Sequence, residues 1–173
     1  MRMTLAMLLK KIELGNQKLQ NLISNEANVA TYLTTPDAEI TVPDYNITEC
    51  YNEHLELTTA IVAAKAIIAE HNADMNESQS FSGRTYGELL VMLPIYRERA
   101  KTYRNLACKH DGLMRSSYGS KTEIINLNYD PDRAAYYAKL YEDWVVEIQL
   151  AIDTHNFKVE VDVDDRIVNT LSK

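Results

Sequence analysis

The chain has 173 residues, and its 25 acidic and 18 basic side chains give a formal net charge of −7. Binding to double-stranded nucleic acid needs a clustered basic surface that releases counterions, so we expect no such partner. The length suits one domain with its own hydrophobic core, and no Gly-, Pro- or Ser-rich linker divides residues 1–173. We therefore predict a single domain.

Targeting signals and membrane segments are not expected either. The apolar run from Met3 to Leu9 stops at two lysines, and no cleavage site of small residues follows it. Nowhere are there about 18 consecutive apolar residues, the length that a membrane helix requires. Cys50 and Cys108 lie far apart in segments of helical periodicity, which is typical of small core residues in a reducing compartment. We expect a cytoplasmic protein without a membrane partner.

Four segments have the spacing of apolar residues that is typical of amphipathic helices. The pattern predicts helices at about residues 3–26, 47–73, 86–110 and 131–155. Asn46 with Glu49, and Thr85 with Glu88, have the spacing of capping boxes, and Asp130 precedes a proline suited to the first helical position. The sequence therefore predicts a mainly all-α fold, either an antiparallel hairpin of long helices or a four-helix bundle.

The segment after the fourth helix has a different period. From Phe157 to Val163 apolar and polar residues alternate, which predicts a small C-terminal β-strand element over residues 157–163. A lone strand is not stable, so it needs a partner. Three partners remain open: the segment Ile124 to Tyr129, the loop Val29 to Val42, or the same segment of another subunit. The third alternative points to a homo-oligomer.

A polar connector, residues 111–133, separates the third and fourth helices and follows the basic second half of the third helix. Cations, hydroxyls and backbone amides together can bind an anionic group. The connector is not a P-loop, because Lys121 does not directly follow the glycine and no helix is expected to begin at Thr122. The candidate ligand-binding residues are Arg97, Arg104, Arg115, Tyr118, Ser120, Lys121 and Thr122.

The helical arginines also have a simpler interpretation, in which they lie on a solvated face and pair with acids of another helix. Cys50 and His54 share a helix face, but two ligands do not make a metal site. No Ser-His-Asp or Cys-His arrangement and no carboxylate pair stands out. We predict that the protein is not an enzyme and that it has no metal site and no cofactor.

A family resemblance is carried by several stretches in chain order: Ile67-Ile68-Ala69-Glu70-His71-Asn72, Gly83-Arg84-Thr85-Tyr86-Gly87-Glu88-Leu89-Leu90, Tyr96-Arg97-Glu98-Arg99, Arg104-Asn105-Leu106-Ala107 and Tyr118-Gly119-Ser120-Lys121-Thr122-Glu123-Ile124. Over nearly its whole length, the chain resembles the septicolysin-like family of small helical proteins from bacteria and their phages. The family pattern has arginine-serine where this chain has Lys121-Thr122, and a charged stretch where this chain has Met92-Leu93-Pro94. The resemblance implies a long helical hairpin or bundle that self-associates and carries a distinctive polar connector.

Two hypotheses about function follow. In the first, a non-enzymatic homo-oligomer uses the connector cations to sequester a small anionic ligand, such as a nucleotide-derived signalling molecule, as a phage anti-defence sponge does. The eleven tyrosines favour this hypothesis because their rings can stack on a base. In the second, the protein is a structural or protein-binding helical oligomerisation module, and the same cations form salt bridges between helices.

Overall fold

The computed structural model describes residues 1–31, 45–77, 81–110, 112–115, 122–125 and 127–172; for 112–115 and 122–125 it describes the backbone. Five helices and four short strands lie within these ranges. In chain order they are β1 (Arg2–Thr4), α1 (Leu5–Val29), α2 (Ile47–His71), α3 (Tyr86–Ala107), β2 (Gly112–Arg115), β3 (Thr122–Ile125), α4 (Pro131–Lys158), β4 (Glu160–Asp162) and α5 (Asp165–Ser172). The predicted mainly α-helical fold with a small β element is confirmed.

The contacts divide the chain into two compact units. The first unit contains residues Met1–Asn72 and Thr154–Lys173, and the second contains Ala73–Asp153. The prediction of one domain, and of one four-helix bundle within it, stays a prediction.

Helices α1 and α2 form an antiparallel hairpin in the first unit. Gly15 on α1 lies against Ile61 on α2, whereas Glu26, farther along α1, accepts a hydrogen bond from Tyr45, just before α2 begins. Helix α5 closes this hairpin with two buried side chains, Val168 and Leu171. The buried residues of α1 and α2 recur at helical spacing and share one core: Leu5, Leu8, Ile12, Leu57, Ala60, Ile61 and Ala64.

The C-terminal strand has a partner that the sequence did not indicate. Strand β4 pairs antiparallel with β1, and Met3 lies opposite Val161, both of them buried. Of the three partners left open from the sequence, residues 124–129 are not the partner of β4, because β3 in that segment pairs with β2. Residues 32–42 of the second alternative lie outside the described residues, and pairing with another subunit stays a prediction. The predicted strand is also shorter than expected, since Phe157 and Lys158 continue α4 and the amide of Val159 still donates to the carbonyl of His155.

The other boundary corrections are also local. The first helix begins at Leu5 rather than at residue 3, with the Thr4 hydroxyl accepting a hydrogen bond from the Met7 amide. The short helix α5 was not predicted. The predicted core position of Cys108 is wrong, because this residue caps the C-terminus of α3 and is exposed, whereas Cys50 is half-buried.

Helices α3 and α4 form a second antiparallel hairpin. Tyr96 contacts Trp144, and Tyr103, farther along α3, contacts Tyr137, which lies earlier in α4. The predicted capping box at the start of α3 is confirmed: the Thr85 hydroxyl accepts from the Glu88 amide, and the Glu88 carboxylate accepts from the Thr85 amide at 2.8 Å. Asp130 likewise accepts from the Asp132 amide before α4.

Gly15 allows a close approach in the core of the first unit. A Cβ atom at this position would lie 2.6 Å from Cδ2 of Leu171, a side chain that is fully buried, and 3.2 Å from Cγ1 of Ile61. Both neighbours are buried, so that moving either side chain would disturb other close-packed contacts of the core. The glycine therefore fixes the distance of α5 from α1.

We expect Gly15→Val to lower the free energy of unfolding by about 1–3 kcal/mol, as overpacked cores do. Gln17→Val is the matched control, because it places the same β-branched side chain at an exposed position of α1. Urea denaturation of both variants measures the difference. Equal stabilities of the two variants would show that α5 does not constrain this position.

The pKa of Glu88 is lowered from its usual 4.5, chiefly by the hydrogen bond from the Thr85 amide and then by Arg84. A lowered pKa means that the folded state favours the carboxylate. The resulting stabilisation is present above the unfolded pKa and is lost as the pH falls through the folded pKa.

We therefore expect the stability difference between wild type and Glu88→Gln to shrink as the pH is lowered through and below 4.5. Chemical denaturation across this pH range measures the difference, and Glu98→Gln, on the same helix, corrects for the loss of one carboxylate. A difference that stays constant or grows towards acid would contradict the role of this cap.

Candidate interaction surfaces

The predicted ligand-binding residues of the connector lie at or beyond the limits of the described structure. Arg115 and Thr122 lie opposite each other in the β2–β3 ladder, where the structure describes their backbone pairing. Tyr118, Ser120 and Lys121 lie outside the described residues. The grouping of connector side chains around an anion stays a prediction.

The two helical arginines of the predicted site contact polar side chains of α4. Nη2 of Arg97 donates to Oε1 of Gln149 at 2.8 Å. Nε of Arg104 donates to Oε1 of Glu142 at 3.0 Å, and Nη2 of the same arginine forms an ion pair with this carboxylate. All these contacts lie at the exposed border of the hairpin, where an ion pair contributes about 1 kcal/mol or less. Both contacts bridge α3 and α4. Arg104 pairs with an acid of another helix, as the simpler interpretation expects, whereas the partner of Arg97 is the uncharged amide of Gln149.

Aromatic rings fill the space between these polar bridges. We call Tyr96, Tyr103, Tyr137, Tyr141 and Trp144 the aromatic seam. Tyr96 meets Tyr141 edge to face with ring centroids 5.3 Å apart, and Tyr103 stacks on Tyr141 at 5.8 Å. These are favourable geometries for aromatic pairs. The seam rings are half-buried and pack against each other, so their contacts hold the hairpin together.

The seam continues into a small apolar core. Its buried members are Tyr86, Leu89, Leu93, Ile148 and Ile152. Along α4 the residues that face α3 recur at alternating steps of four and three, the spacing of a coiled-coil seam. We call them the inner seam of α4: Ala134, Ala138, Tyr141, Val145, Ile148 and Ile152.

Helix α4 has a second row at the same spacing on its opposite side. We call Tyr136, Lys139, Asp143, Val146 and Leu150 the outer seam; the steps between them are three and four residues. All five are exposed, and the apolar members Tyr136, Val146 and Leu150 are 64%, 65% and 66% exposed. A helix with apolar residues in two opposite rows has two faces that packing can bury.

Helix α3 has a similar but shorter outer face. Val91 is 64% exposed and Ile95, one turn later, is 54% exposed. Ile95 lies on the side of α3 away from α4, because Leu89 and Leu93 occupy the side that faces α4. Both helices of the second unit therefore present apolar side chains to solvent.

Two open grooves of the first unit are not basic. One, of about 320 Å³, is lined by Lys18 on α1 and by Glu53 and Glu56 on α2. The other, of about 520 Å³, lies between α2 and α5, where Asp164 and Arg166 accompany Glu56. Carboxylates equal or outnumber cations in both grooves, which does not favour an anionic ligand.

Two polar contacts of the first unit have structural roles. The side chain of His155 is buried, and its Nε2 lies 3.2 Å from the carbonyl oxygen of His71 at the end of α2. The Tyr45 hydroxyl donates to Oε1 of Glu26 at 2.7 Å, and this carboxylate raises the pKa of Tyr45 to about 12. The phenol therefore stays protonated and keeps the start of α2 attached to α1.

Among the described residues, no group of three or more His, Cys, Asp or Glu side chains is arranged to hold a metal ion. Within the same residues, no helix combines the length and the hydropathy needed to cross a bilayer.

No protein-family model matches this chain, and no curated protein matches it. Among solved structures, the chain is similar to a functionally unknown conserved protein from Corynebacterium diphtheriae, with a TM-score of 0.69 and 19% sequence identity. The match covers 94% of this chain and 100% of that one. At this identity the likeness shows a shared fold, and the resemblance to the septicolysin-like family stays a prediction.

Proposed function

We propose that this protein is a non-catalytic helical module that self-associates through the outer faces of its second hairpin. The observation that carries the proposal is the row of exposed apolar side chains on the far side of α4, at the spacing of a packing seam. A soluble helix normally has one apolar row, which faces its own core. A second row at the same spacing is typical of a helix that packs on two sides.

The exposed apolar side chains are large enough to stabilise an assembly when they are buried. Burying a large apolar side chain that was in water stabilises an assembly by about 1.5–3 kcal/mol. Val146 and Leu150 on α4, with Val91 and Ile95 on α3, are each more than half exposed. Large exposed apolar side chains that recur along one face of a helix are typical of interaction sites. Association between copies of the chain that covers these faces would bury several such side chains and gain the free energy of each burial.

The contacts of the arginines also support this proposal. Arg97 and Arg104 were candidates for binding an anion, but both donate to α4 side chains. In an interaction module these inter-helix contacts have a structural role. They hold the two helices in register and so fix the positions of the outer faces. A ligand would have to compete with Glu142 for Arg104.

Sequestration of a small anionic ligand remains the alternative function. It depends on Arg115 and Lys121, and it requires these cations to converge with the basic half of α3. The two grooves of the first unit described above do not support it, because carboxylates outnumber cations in both of them. The interaction module is the function that the described residues favour.

We expect the wild-type chain to have a molecular mass above that of one copy in sedimentation equilibrium or in size exclusion with light scattering. Leu150→Gln, a polar replacement of similar size, should weaken the association and leave the thermal stability of the single chain nearly unchanged. Leu14→Gln is the matched control, because Leu14 is an exposed leucine of α1 in the first unit. A wild-type chain that is monomeric up to about 100 μM would contradict the proposal.

We expect cyclic and linear nucleotides to leave the melting temperature unchanged to within about 1 °C. A ligand at 100 times its Kd would add about 2.7 kcal/mol, which raises the melting temperature of a chain of this length by about 5 °C or more. Chloride at matched ionic strength is the control for charge screening. A nucleotide shift that is present in wild type and absent in Arg115→Ala would favour the ligand hypothesis instead.

A further inference from the structure

The outer seam of α4 combines apolar and charged residues in a definite order. Tyr136 lies at one end, Val146 and Leu150 lie at the other, and Lys139 and Asp143 lie between them. The two charges are opposite in sign and both side chains are exposed. Within the described part of the chain, neither forms an ion pair. This order restricts which surface can cover the seam.

We infer that the outer seam of α4 pairs antiparallel with the same seam of a second copy, across a two-fold axis level with Tyr141. This inference rests on the proposed function and names its partner and its contact face. In this register Lys139 lies opposite the partner's Asp143, and Asp143 lies opposite the partner's Lys139. Tyr136 lies opposite the partner's Val146. A two-fold axis repeats each contact, so that one surface is complementary to itself.

Parallel pairing of the two helices does not fit these residues. In a parallel in-register pair every residue faces its own copy, so Lys139 would face the partner's Lys139 and Asp143 would face the partner's Asp143. Two like-charge contacts at the centre of the interface oppose association. The antiparallel direction converts both repulsions into attractions.

Antiparallel pairings in a shifted register do not match the charges of the seam either. Shifting the partner helix by about seven residues, one repeat of the seam, places Lys139 opposite the partner's Leu150 and Asp143 opposite the partner's Val146, so that both central charges are desolvated without a partner. Shifting it by a second repeat places Val146 opposite the partner's Leu150 but brings Asp143 to the partner's Asp153, which are like charges. The register centred on Tyr141 pairs both central charges with their opposites and Tyr136 with Val146. Leu150, at the end of the seam, lies opposite the partner's Asp132, which is exposed in the first turn of α4.

The exposure of the apolar residues of the seam suits this arrangement. Tyr136 and Val146 are 64% and 65% exposed, so each has most of its surface available for burial. Oppositely charged pairs in a helical interface contribute more to register and direction than to affinity. In this interface the apolar contacts supply the affinity, and Lys139 and Asp143 select the antiparallel register.

Charge reversal tests the register. Lys139→Glu places a carboxylate opposite the partner's Asp143 twice per dimer, and Asp143→Lys places two ammonium groups opposite each other twice. We expect each single variant to raise the Kd of the dimer by about 10-fold or more, measured by sedimentation equilibrium. The double variant Lys139→Glu/Asp143→Lys restores opposite charges, and we expect its Kd to lie within about 3-fold of wild type.

Lys101→Glu is the matched control, since it reverses an exposed lysine of α3 that lies outside the seam; its Kd should equal that of wild type. Circular dichroism confirms that each variant folds. A dimer whose Kd is unchanged by both single reversals, or is not restored in the double variant, overturns the α4 pairing and leaves the self-association of the module intact. A wild-type monomer overturns both proposals.

Discussion

Two helices that form a hairpin can bury only the faces that they turn towards each other, and this constraint explains why apolar side chains of the second unit are exposed. Helices α3 and α4 use their shared face fully: aromatic rings pack along it, and Arg97 and Arg104 bridge its border. Each helix nevertheless has apolar residues on the other side. The pair has no third element among the described residues to cover them, so burial of the outer faces requires a surface from outside this hairpin.

The first unit shows what the same constraint looks like when a third element is present. There, α5 lies on the α1–α2 hairpin and buries Leu171 where Gly15 leaves room for it. Small residues on α2, such as Ala60 and Ala64, let the helices approach closely. In the second unit large aromatic side chains take the place of small ones, and the outer rows stay exposed. The two hairpins therefore differ in the side chains that separate their helices, which are small in the first unit and aromatic in the second.

Local signals in the sequence were sufficient to predict the long helices and their caps. The four long helices and the capping box of Thr85 and Glu88 follow from periodicity and from hydrogen bonds between near neighbours in the chain. The pairing of Met3 with Val161 could not be predicted in this way, since it joins the two ends of the chain and three residues are too few to show a strand pattern. Helix α5 did have a signal, because Asp164 can cap it and Val168 and Leu171 follow at helical spacing.

The candidate site was harder to predict than the fold, because a single sequence lists charges without their partners. Arg104 in a basic stretch suits an anion site and an inter-helix bridge equally well, and the sequence does not indicate that Glu142 lies across the hairpin within ion-pair distance of it. The outer seam was not recognised from the sequence either. Lys139 and Asp143 interrupt its apolar residues, so that α4 looked like a helix with one apolar face.

The interrupting charges are informative because an apolar seam without them would accept many partners and registers. A row of four or five apolar residues associates readily in parallel or antiparallel pairs, and this risks aggregation. Lys139 and Asp143 reduce the area of apolar contact, which lowers the affinity of any one pairing. They also destabilise alternative pairings, because these leave a charge unpaired or opposite a like charge. The exposed position of the seam and the order of its charges are therefore consistent with a surface that selects one partner, a second copy of the same helix.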